Sequence, residues 1–453
     1  MAVAGSPFVY FTRLELTNVR SFGERQVLVL EDSNGKPAPW TLILGDNGVG
    51  KTTLLQCLVM MRPRLGTEGA EPNAPKPTRI EPELFGRENN EIEGLARMGA
   101  RDVRLGAELS VGHALGQPGG RMTRLNTEAS FTMKGRGLDS IKSTPAHRRG
   151  FVEPLVIGYG AARHVTSGAS DALEEDSEPT ASLFDASLEL SDAQRILEDL
   201  DYASLKEQPH AGDLLKAVKA ALVTLLPDLK SADDIHLYGP STPRSRGGKS
   251  GVQVVTPYGE VPLSALSLGY QTMTAWTVDL AWRLYRHYPD VDEPLRQPAI
   301  VLIDELDLHL HPHWQRQLRN HLSAAFPQVQ FIATAHSPLL AQTYLDTNLA
   351  VVRREENQAV IVNDPEVIKT WRLDELVTSA LYDIRSPYSP DVTYALQRRT
   401  ELLQKSRTTP NERRELVDLE ALAASLSPTP SPEDRDAMEM IRQAAKLLDA
   451  HKP

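Results

Sequence analysis

A glycine-rich loop between an apolar strand and an apolar helix restricts the folds available to this chain. The strand is predicted at 40–44, and the helix after the loop is predicted at 52–61. Glycines let successive backbone N–H groups turn toward a bound anion, and the helix N-terminus favours negative charge. This order of elements predicts a phosphate site in an α/β core with a parallel sheet. The site residues are Gly45, Asp46, Asn47, Gly48, Val49, Gly50, Lys51, Thr52 and Thr53.

The spacing within the loop fits the pattern G-x-x-x-x-G-K-[ST], which binds nucleoside triphosphates. Lys51 is expected to reach the β- and γ-phosphates, and Thr52 is expected to bind Mg²⁺. A glycine turn without function is the alternative, but the strand before the loop and the helix after it argue against that. ATP and Mg²⁺ are therefore the predicted ligands.

An acidic pair follows a second apolar strand, predicted at 299–303. Asp304 stands at the carboxyl end of that strand and is expected to bind Mg²⁺, directly or through water. Glu305 is expected to be the catalytic general base that polarises the attacking water. Alone, such a pair fits an ordinary strand running into an acidic loop equally well. The glycine loop elsewhere in the chain favours the catalytic interpretation.

Two further segments suit contacts with a terminal phosphate. The hexamer at 266–271 precedes a long predicted helix and offers a hydroxyl and backbone N–H groups; a serine that merely caps the helix is the alternative. His336 follows a strand predicted at 330–334 and is expected to contact the γ-phosphate in catalysis; a structural histidine is the alternative. The candidate residues of the hexamer are Ser267, Leu268, Gly269 and Gln271.

These motifs, in this order, resemble those of ABC-type ATPases of the SMC, Rad50 and RecF kind. The hexamer LSLGYQ is similar to the ABC signature LSGGQ, with Leu268 in place of the first glycine and Tyr270 before the glutamine. LELTNVRSF at 14–22 is similar to the first strand and turn of that family. The stand-alone ATPases of bacterial anti-phage systems, of the Septu and retron-associated kind, are resembled more closely. That resemblance lies in YGAAR at 159–163, DELDLHLHPHWQ at 304–315 and QFIATAHSP at 330–338.

The resemblance implies that two copies of the chain face each other across a pair of bound ATP molecules. Ser267 and its neighbours would act in trans, on the γ-phosphate held by the other copy. Asp307 would lie in the D-loop at the interface, and Arg20 would lie near the nucleotide. The implied assembly is a homodimer, or a higher oligomer of ATP-sandwiched dimers, that hydrolyses ATP to ADP and phosphate.

The predicted fold class is α/β: an ABC-type P-loop ATPase with two lobes, a β-rich subdomain, a helical insertion and a helical C-terminal tail. The ATPase domain is expected at 1–360, with the helical insertion at about 166–260, and the helical C-terminal region at 361–453. Within it, the stretch at Leu188–Leu226 is too short, and its heptads too irregular, for the long coiled coil of SMC and Rad50 proteins. A compact protein is therefore predicted.

The leading hypothesis is an ATP-hydrolysing switch or sensor of an anti-phage defence complex, which regulates a partner effector nuclease of the HNH type. Nothing after Leu340 resembles a nuclease motif, so no nuclease activity of its own is expected. The tail from Val367 onward is predicted to contact the effector. The alternatives are a RecF- or SMC-like DNA-repair ATPase acting on DNA ends or junctions, and a structural scaffold held together by ATP.

Composition limits the other classes of function. A net charge of −11 argues against a wholesale nucleic-acid coat, and the single cysteine, Cys57, excludes an intramolecular disulfide. A membrane span needs roughly 18 uninterrupted apolar residues, which the sequence lacks, so a cytoplasmic protein without membrane contact is expected. Two basic clusters are candidates for binding DNA or another nucleic acid, with a solvated surface as the alternative. They are Arg121, Arg124, Lys134, Arg136, Lys142, Arg148 and Arg149, and then Arg244, Arg246 and Lys249.

Overall fold

The computed structural model divides the chain into two units, Met1–Val377 and Thr378–Pro453. The described residues are 8–66, 78–112, 115, 123–135, 137–149, 151–162, 164–165, 178–190, 192–208, 210–226, 229–239, 251–308, 310–342, 348–363, 386, 388–405 and 407–426. Some residues singled out in the sequence lie outside this part of the chain: Arg121, Arg136, Arg163, Arg244, Arg246, Lys249, His309, and the tail segments 367–385 and 427–453.

Strands and helices are both frequent in the first unit. The α-helices are α1 Lys51–Met60, α2 Asn89–Glu93, α3 Ala193–Leu205, α4 Ala211–Leu225, α5 Leu268–His287, α6 Pro312–Ala325 and α7 Pro338–Gln342. The strands are β1 Val9–Thr17, β2 Gln26–Val29, β3 Trp40–Gly45, β4 Pro63–Leu65, β5 Thr78–Pro82, β6 Asp102–Val111, β7 Thr123–Lys134, β8 Gly137–Thr144, β9 Ala146–Arg148, β10 Val156–Tyr159, β11 His164–Val165, β12 Glu189–Leu190, β13 Ile235–Tyr238, β14 Gly251–Thr256, β15 Gly259–Pro262, β16 Ala299–Ile303, β17 Val329–Ala335, β18 Asn348–Glu355 and β19 Gln358–Asn363.

The central sheet has the strand order β10-β16-β17-β3-β18-β19. Its strands are parallel except for β19, which runs antiparallel to β18. Strand β17 pairs with β16 on one side, where Ile303 is opposite Ala333, and with β3 on the other, where Leu44 is opposite Ala335. Every residue of β16 and β17 is buried, as their continuous apolar character predicts. The carboxyl ends of these strands therefore meet at one edge, and the predicted parallel α/β core is confirmed.

A second sheet, with the order β2-β1-β6-β7-β8, is antiparallel and forms the predicted β-rich subdomain. Leu14 and Leu16 of β1 enter a hydrophobic core that they share with Leu54 and Leu58 of α1. Cys57 lies in the same core without exposed surface, and burial raises the pKa of its thiol to about 12. Helix α1, which begins at the glycine loop, thus packs against residues of both sheets.

The segment predicted as a helical insertion contains both helices and strands. Helices α3 and α4 have apolar faces that pack on each other and on α5. Strands β13, β14 and β15 form a small antiparallel sheet directly after them. Within the bounds expected for the helical insertion, about 166–260, residues Ile235–Tyr238 and Gly251–Thr256 are thus strands. The β-branched run VQVVT at 252–256 favours a strand, which explains the difference.

The first unit extends past the boundary predicted at 360. Strand β19 continues to Asn363, whose side-chain amide donates a hydrogen bond to the carbonyl of Val27 at 2.8 Å. At the other end of β19, Gln358 Oε1 accepts a hydrogen bond from the Glu24 backbone N–H at 3.0 Å. These bonds join β19 to β2 and to the turn before it, so the residues of β19 belong to the first unit.

The described part of the second unit contains two helices, α8 Pro390–Gln404 and α9 Pro410–Ser425. Arg398 and Glu415 form an ion pair between them, with Nε 2.9 Å from Oε1. A capping box between Thr409 and Glu412 satisfies free N–H groups at the start of α9. Among the described helices of the chain, none has the length and apolar character required to cross a membrane.

Candidate active site

The glycine loop joins β3 to α1, and its curvature depends on two glycines. Gly45 has a φ of 151°, and a Cβ atom there would lie 2.2 Å from the carbonyl oxygen of Val352. Gly50 has a φ of 108°, and a Cβ atom there would lie 2.4 Å from Ser21 Oγ. Any other residue would be strained at both positions. Strand β18 and the turn after β1 therefore press on the outside of the loop and fix its shape.

Lys51 lies at the mouth of the loop and is only 6% exposed. Its Nζ donates hydrogen bonds to the backbone oxygens of Gly45 at 2.7 Å and Asp46 at 2.8 Å, and lies 3.0 Å from His336 Nε2. Burial lowers the pKa of Lys51, and neighbouring carboxylates oppose that shift. These carboxylates belong to Asp304, Glu305, Asp307 and Asp46.

The two predicted magnesium ligands lie side by side. Thr52 Oγ1 donates a hydrogen bond to Asp304 Oδ2 at 2.7 Å, although 252 positions separate them in the chain. Asp304 is 5% exposed, and its backbone N–H donates to the carbonyl of Tyr159 at 2.8 Å. Hydroxyl and carboxylate oxygens are the donors that Mg²⁺ prefers. Thr52 and Asp304 therefore fit this ion by donor type and by position.

Thr334 is a site residue that the sequence motifs did not indicate. Its hydroxyl donates to Asp304 Oδ1 at 2.6 Å and accepts from the backbone N–H of Glu305 at 2.8 Å. The side chain is fully buried near the end of β17. It thereby orients the carboxylate of Asp304 and the backbone of Glu305 together. The available signal was a hydroxyl residue within an otherwise apolar run, FIATA at 331–335.

Glu305 has a left-handed backbone, with a φ of 51°. Such a conformation costs a residue with a side chain about 1–2 kcal/mol, so the surrounding bonds must hold it. The carboxylate Oε1 lies 3.9 Å from His336 Nε2, and each of these side chains is about a third exposed. Both predicted catalytic groups therefore reach solvent beside Lys51.

Asp307 joins the loop after β16 to the end of β17. Its two carboxylate oxygens accept the backbone N–H of His336 at 3.2 and 3.3 Å. One residue earlier in the chain, the backbone N–H of Leu306 donates to the carbonyl of Thr334 at 2.8 Å. The structure thus places the predicted D-loop acid against the segment that carries His336.

Arg20 lies beside α1, close to the glycine loop. Its Nη1 is 2.6 Å from Gln56 Oε1 and 3.4 Å from Thr53 Oγ1, and its Nε donates to the carbonyl of Gly94 at 2.8 Å. Its backbone is left-handed, with a φ of 41°. Three directed bonds and an uncommon backbone conformation hold the guanidinium next to the first turns of α1.

The hexamer at 266–271 forms the start of α5. Ser267 is the N-cap residue, but its side chain makes no capping hydrogen bond, which argues against the simple capping role. Ser267 is exposed, Leu268 is 51% exposed and Gly269 is buried. The Gln271 amide donates to the carbonyls of Leu266 at 2.7 Å and Ser264 at 2.9 Å. These side-chain bonds of Gln271 fix the helix start and leave the Ser267 hydroxyl on the surface.

One predicted nucleic-acid residue is neutralised within the fold. Arg124 Nη1 lies 2.5 Å from Glu31 Oε1, and it also pairs with Glu108. Lys142 lines a surface cavity of about 580 Å³ together with Glu15 and Glu128. The same cavity is also lined by Arg25 and Arg104, so of these two cations only Arg124 is matched by acidic partners, which favours the solvated-surface interpretation for Arg124 alone.

Two family models match the segments that contain these residues. One, described as "AAA domain, putative AbiEii toxin, Type IV TA system", matches residues 221–341. The other, described as "AAA domain", matches residues 13–62. The first match includes the segments of Ser267, Asp304 and His336, and the second includes the glycine loop.

Relatives of the chain include a Septu protein and two retron probable ATPases. The Septu protein PtuA of Bacillus mycoides (strain KBAB4) is 26% identical over 409 residues, which cover 89% of this chain and 48% of that protein. The Retron Ec83 probable ATPase of Escherichia coli is 29% identical over 219 residues, 48% of this chain and 38% of that protein. The Retron Vc95 probable ATPase of Vibrio cholerae serotype O1 biovar El Tor is 41% identical over 93 residues, 20% of this chain and 18% of that protein.

The chain spans about half the length, or less, of the relatives that it matches. Among solved structures, the SMC head domain from Thermotoga maritima aligns with 78% of this chain and 98% of its own, at 13% identity and a TM-score of 0.38. The sequence relatives and the family models therefore show that the chain is similar to AAA-domain proteins and to ATPases that bear Septu and retron names.

Proposed function

We propose that the chain binds ATP with Mg²⁺ between two copies, hydrolyses it, and serves as the switch subunit of a bacterial anti-phage defence complex. The observation that carries this proposal is the meeting of Thr52 with Asp304, at 2.7 Å, directly beside Lys51 and Glu305. ATP hydrolysis needs a glycine loop for the phosphates, a pair of residues that bind Mg²⁺ and a nearby exposed carboxylate.

Each of these residues has a defined part in the proposed reaction. The loop amides and Lys51 bind the phosphates, while Thr52 and Asp304 hold Mg²⁺. The bound ion supplies positive charge against the phosphate oxygens. Glu305 accepts a proton from the attacking water, and His336, whose Nε2 lies 3.9 Å from Glu305 Oε1, contacts the γ-phosphate. Thr334 and Asp307 keep these groups in place.

The second copy completes the proposed site. Ser267 is exposed at the start of a 20-residue helix, with a hydroxyl that makes no capping bond. Free N–H groups in the first turn of a helix favour anions. The Ser267 segment of each copy would therefore bind the γ-phosphate held by the other, which links dimer formation to the state of the nucleotide.

The proposed function predicts distinct results for binding and hydrolysis in Glu305→Gln. The amide cannot act as a base but nearly keeps the size of the carboxylate, so ATP should be bound and trapped between two copies. Light scattering should show an ATP-dependent dimer that persists longer than with the unmodified chain, and phosphate release should fall by about 100-fold or more. Unchanged phosphate release would contradict the assignment of Glu305.

The defence role rests on the relatives, which include a Septu protein and two retron probable ATPases. In this proposal the chain regulates a separate effector nuclease of the HNH type and does not cut nucleic acid itself. The purified chain should leave linear and supercoiled DNA intact in the presence of Mg²⁺ or Mn²⁺, with and without ATP. Cleavage that a substitution in this chain abolishes would refute the division of labour.

A further inference from the structure

Gln315 is a buried amide in the first turn of α6, between two loops of the candidate site. It is 7% exposed. Its Nε2 donates to the carbonyl of Leu310 at 3.1 Å and lies 3.5 Å from the carbonyl of Asp307, both in the loop after β16. Its Oε1 accepts a hydrogen bond from Ser337 Oγ at 2.6 Å, in the segment after β17. One side chain therefore ties both loops to the same helix.

These two loops carry groups that are proposed to act on ATP. The first contains Glu305 and Asp307, and the second contains His336, the residue before Ser337. Asp307 already accepts the backbone N–H of His336 at 3.2 Å. The backbone N–H groups of Glu305 and Leu306 also bond to Thr334 at the end of β17. Gln315 adds a side-chain bridge that also fixes both loops to α6.

The neighbouring residue connects this turn to the start of α5. The ring of Trp314 lies 4.4 Å from the ring of Tyr270, centroid to centroid, with an angle of 77° between their planes. Edge-to-face contacts of this kind are favourable. Tyr270 is three residues after Ser267, in the first turn of α5. The first turn of α6 therefore contacts the phosphate-facing loops through Gln315 and the exposed helix start through Trp314.

We propose that Gln315 is a positioning residue that holds the Asp307 loop and the Ser337 segment in the arrangement required for hydrolysis. This role rests on the proposed ATPase function, and in it Gln315 touches neither ATP nor the attacking water. The amide uses its donor and its acceptor at once, so no apolar residue of similar size can replace it. A leucine would leave the Leu310 carbonyl and the Ser337 hydroxyl without this partner.

The test compares Gln315→Leu with Gln317→Leu, the same change two residues along the same helix. ATP affinity should stay within about twofold in both variants, because the glycine loop is untouched. The kcat of Gln315→Leu should fall by about tenfold or more, since small displacements of catalytic groups are costly, whereas Gln317→Leu should keep its kcat. Gln315→Leu with an unchanged kcat, or with an affinity loss equal to its loss of kcat/KM, would overturn the proposal.

Ser337→Ala provides a second, milder variant if Gln315→Leu does not fold. It removes the bond to Gln315 Oε1 but keeps the other bonds that Gln315 makes, and it also removes the acceptor of the Leu339 backbone N–H at 3.3 Å. The kcat should fall while ATP affinity stays. Combined with Gln315→Leu it should add little, because both changes break the same bridge. An unchanged kcat in Ser337→Ala, or fully additive losses, would also overturn the proposal. Absence of hydrolysis in the unmodified chain would instead refute the proposed function.

Discussion

Glu305 combines backbone strain with the proposed chemistry at a single residue. Its φ of 51° is uncommon for a residue with a side chain, and its N–H is held by the hydroxyl of Thr334 at 2.8 Å. Two hydrogen bonds of Thr334 thus maintain a conformation that the isolated segment would disfavour. Strain of this kind concentrates at functional sites, where the geometry of the reacting group outweighs stability.

Substitution of Glu305 by glycine should separate strain from chemistry. Glycine adopts positive φ without penalty, so Glu305→Gly should be more stable than Glu305→Ala by about 1 kcal/mol in the free energy of unfolding. Both variants lack the carboxylate and should be inactive, so they should differ only in the free energy of unfolding. Denaturant unfolding measures the difference. Equal stability of the two variants would show that the backbone at this position carries no strain.

Residues with short-range motifs were predictable, whereas residues that act through tertiary contacts were not. Lys51 and Asp304 stand in patterns whose spacing follows from a strand, a loop and a helix. Thr334 and Gln315 have no such pattern, because their partners lie in segments that only the folded sheet brings close. The sequence shows that Thr334 and Gln315 are polar. The role of each side chain depends on the carbonyl or carboxylate beside it, which only the fold determines.

Among the elements, strand β18 packs so closely against the glycine loop that position 45 has no room for a side chain. The carbonyl of Val352 would lie 2.2 Å from a Cβ at Gly45, while a Cβ at Gly48, with a φ of 75°, would meet nothing within 4 Å. The two glycines therefore have different reasons to be glycine. At Gly48 the reason is the backbone angle alone, and at Gly45 it is also a fixed neighbouring strand.

This difference predicts unequal effects of the same substitution. Gly48→Ala should lower the free energy of unfolding by about 1 kcal/mol through the backbone angle. Gly45→Ala should lower it by about 3 kcal/mol or more, because the methyl group must displace a sheet carbonyl as well. Thermal or denaturant unfolding distinguishes the two. Equal losses would show that β18 yields to the added methyl group at little cost.

The central strands were predictable because burial on both faces produces continuous apolar runs, as at Ala299–Ile303. The small sheet β13-β14-β15 was not predicted, although its β-branched residues favour strands. The preceding helices α3 and α4 have strong helical periodicity. The predicted helical insertion was extended from them to about residue 260 and so included the strands. Strand pairing of β13 with β14 joins segments on either side of residues 239–250, a long-range contact that no local pattern encodes.

For the whole molecule, the proposed site predicts complementation between inactive copies. Lys51→Ala should lose ATP binding and Ser267→Arg should block the exposed helix start, yet a mixed dimer contains one site with both native residues. An equal mixture should recover about a quarter of the unmodified turnover, since half of the dimers are mixed and each has one complete site. The measurement is phosphate release against the mixing ratio.

A matched control uses Lys51→Ala mixed with the double variant Lys51→Ala and Ser267→Arg, which offers no native Lys51 to any site. That mixture should stay inactive at every ratio. If mixed dimers of the two single variants form and yet no turnover returns, the sites are not shared between copies, and the trans role of Ser267 fails.

The burial of Cys57 has a practical consequence for such experiments. A thiol whose pKa is about 12 has roughly one thiolate in 100,000 at neutral pH, and this one also has no exposed surface. Maleimide and iodoacetamide probes should therefore leave the unmodified chain unlabelled. A cysteine introduced at an exposed position outside the candidate site, such as Tyr258, which is 98% exposed, would carry a fluorophore or spin label by itself. Distances between two such labels would then report when the copies come together, without first removing the natural cysteine.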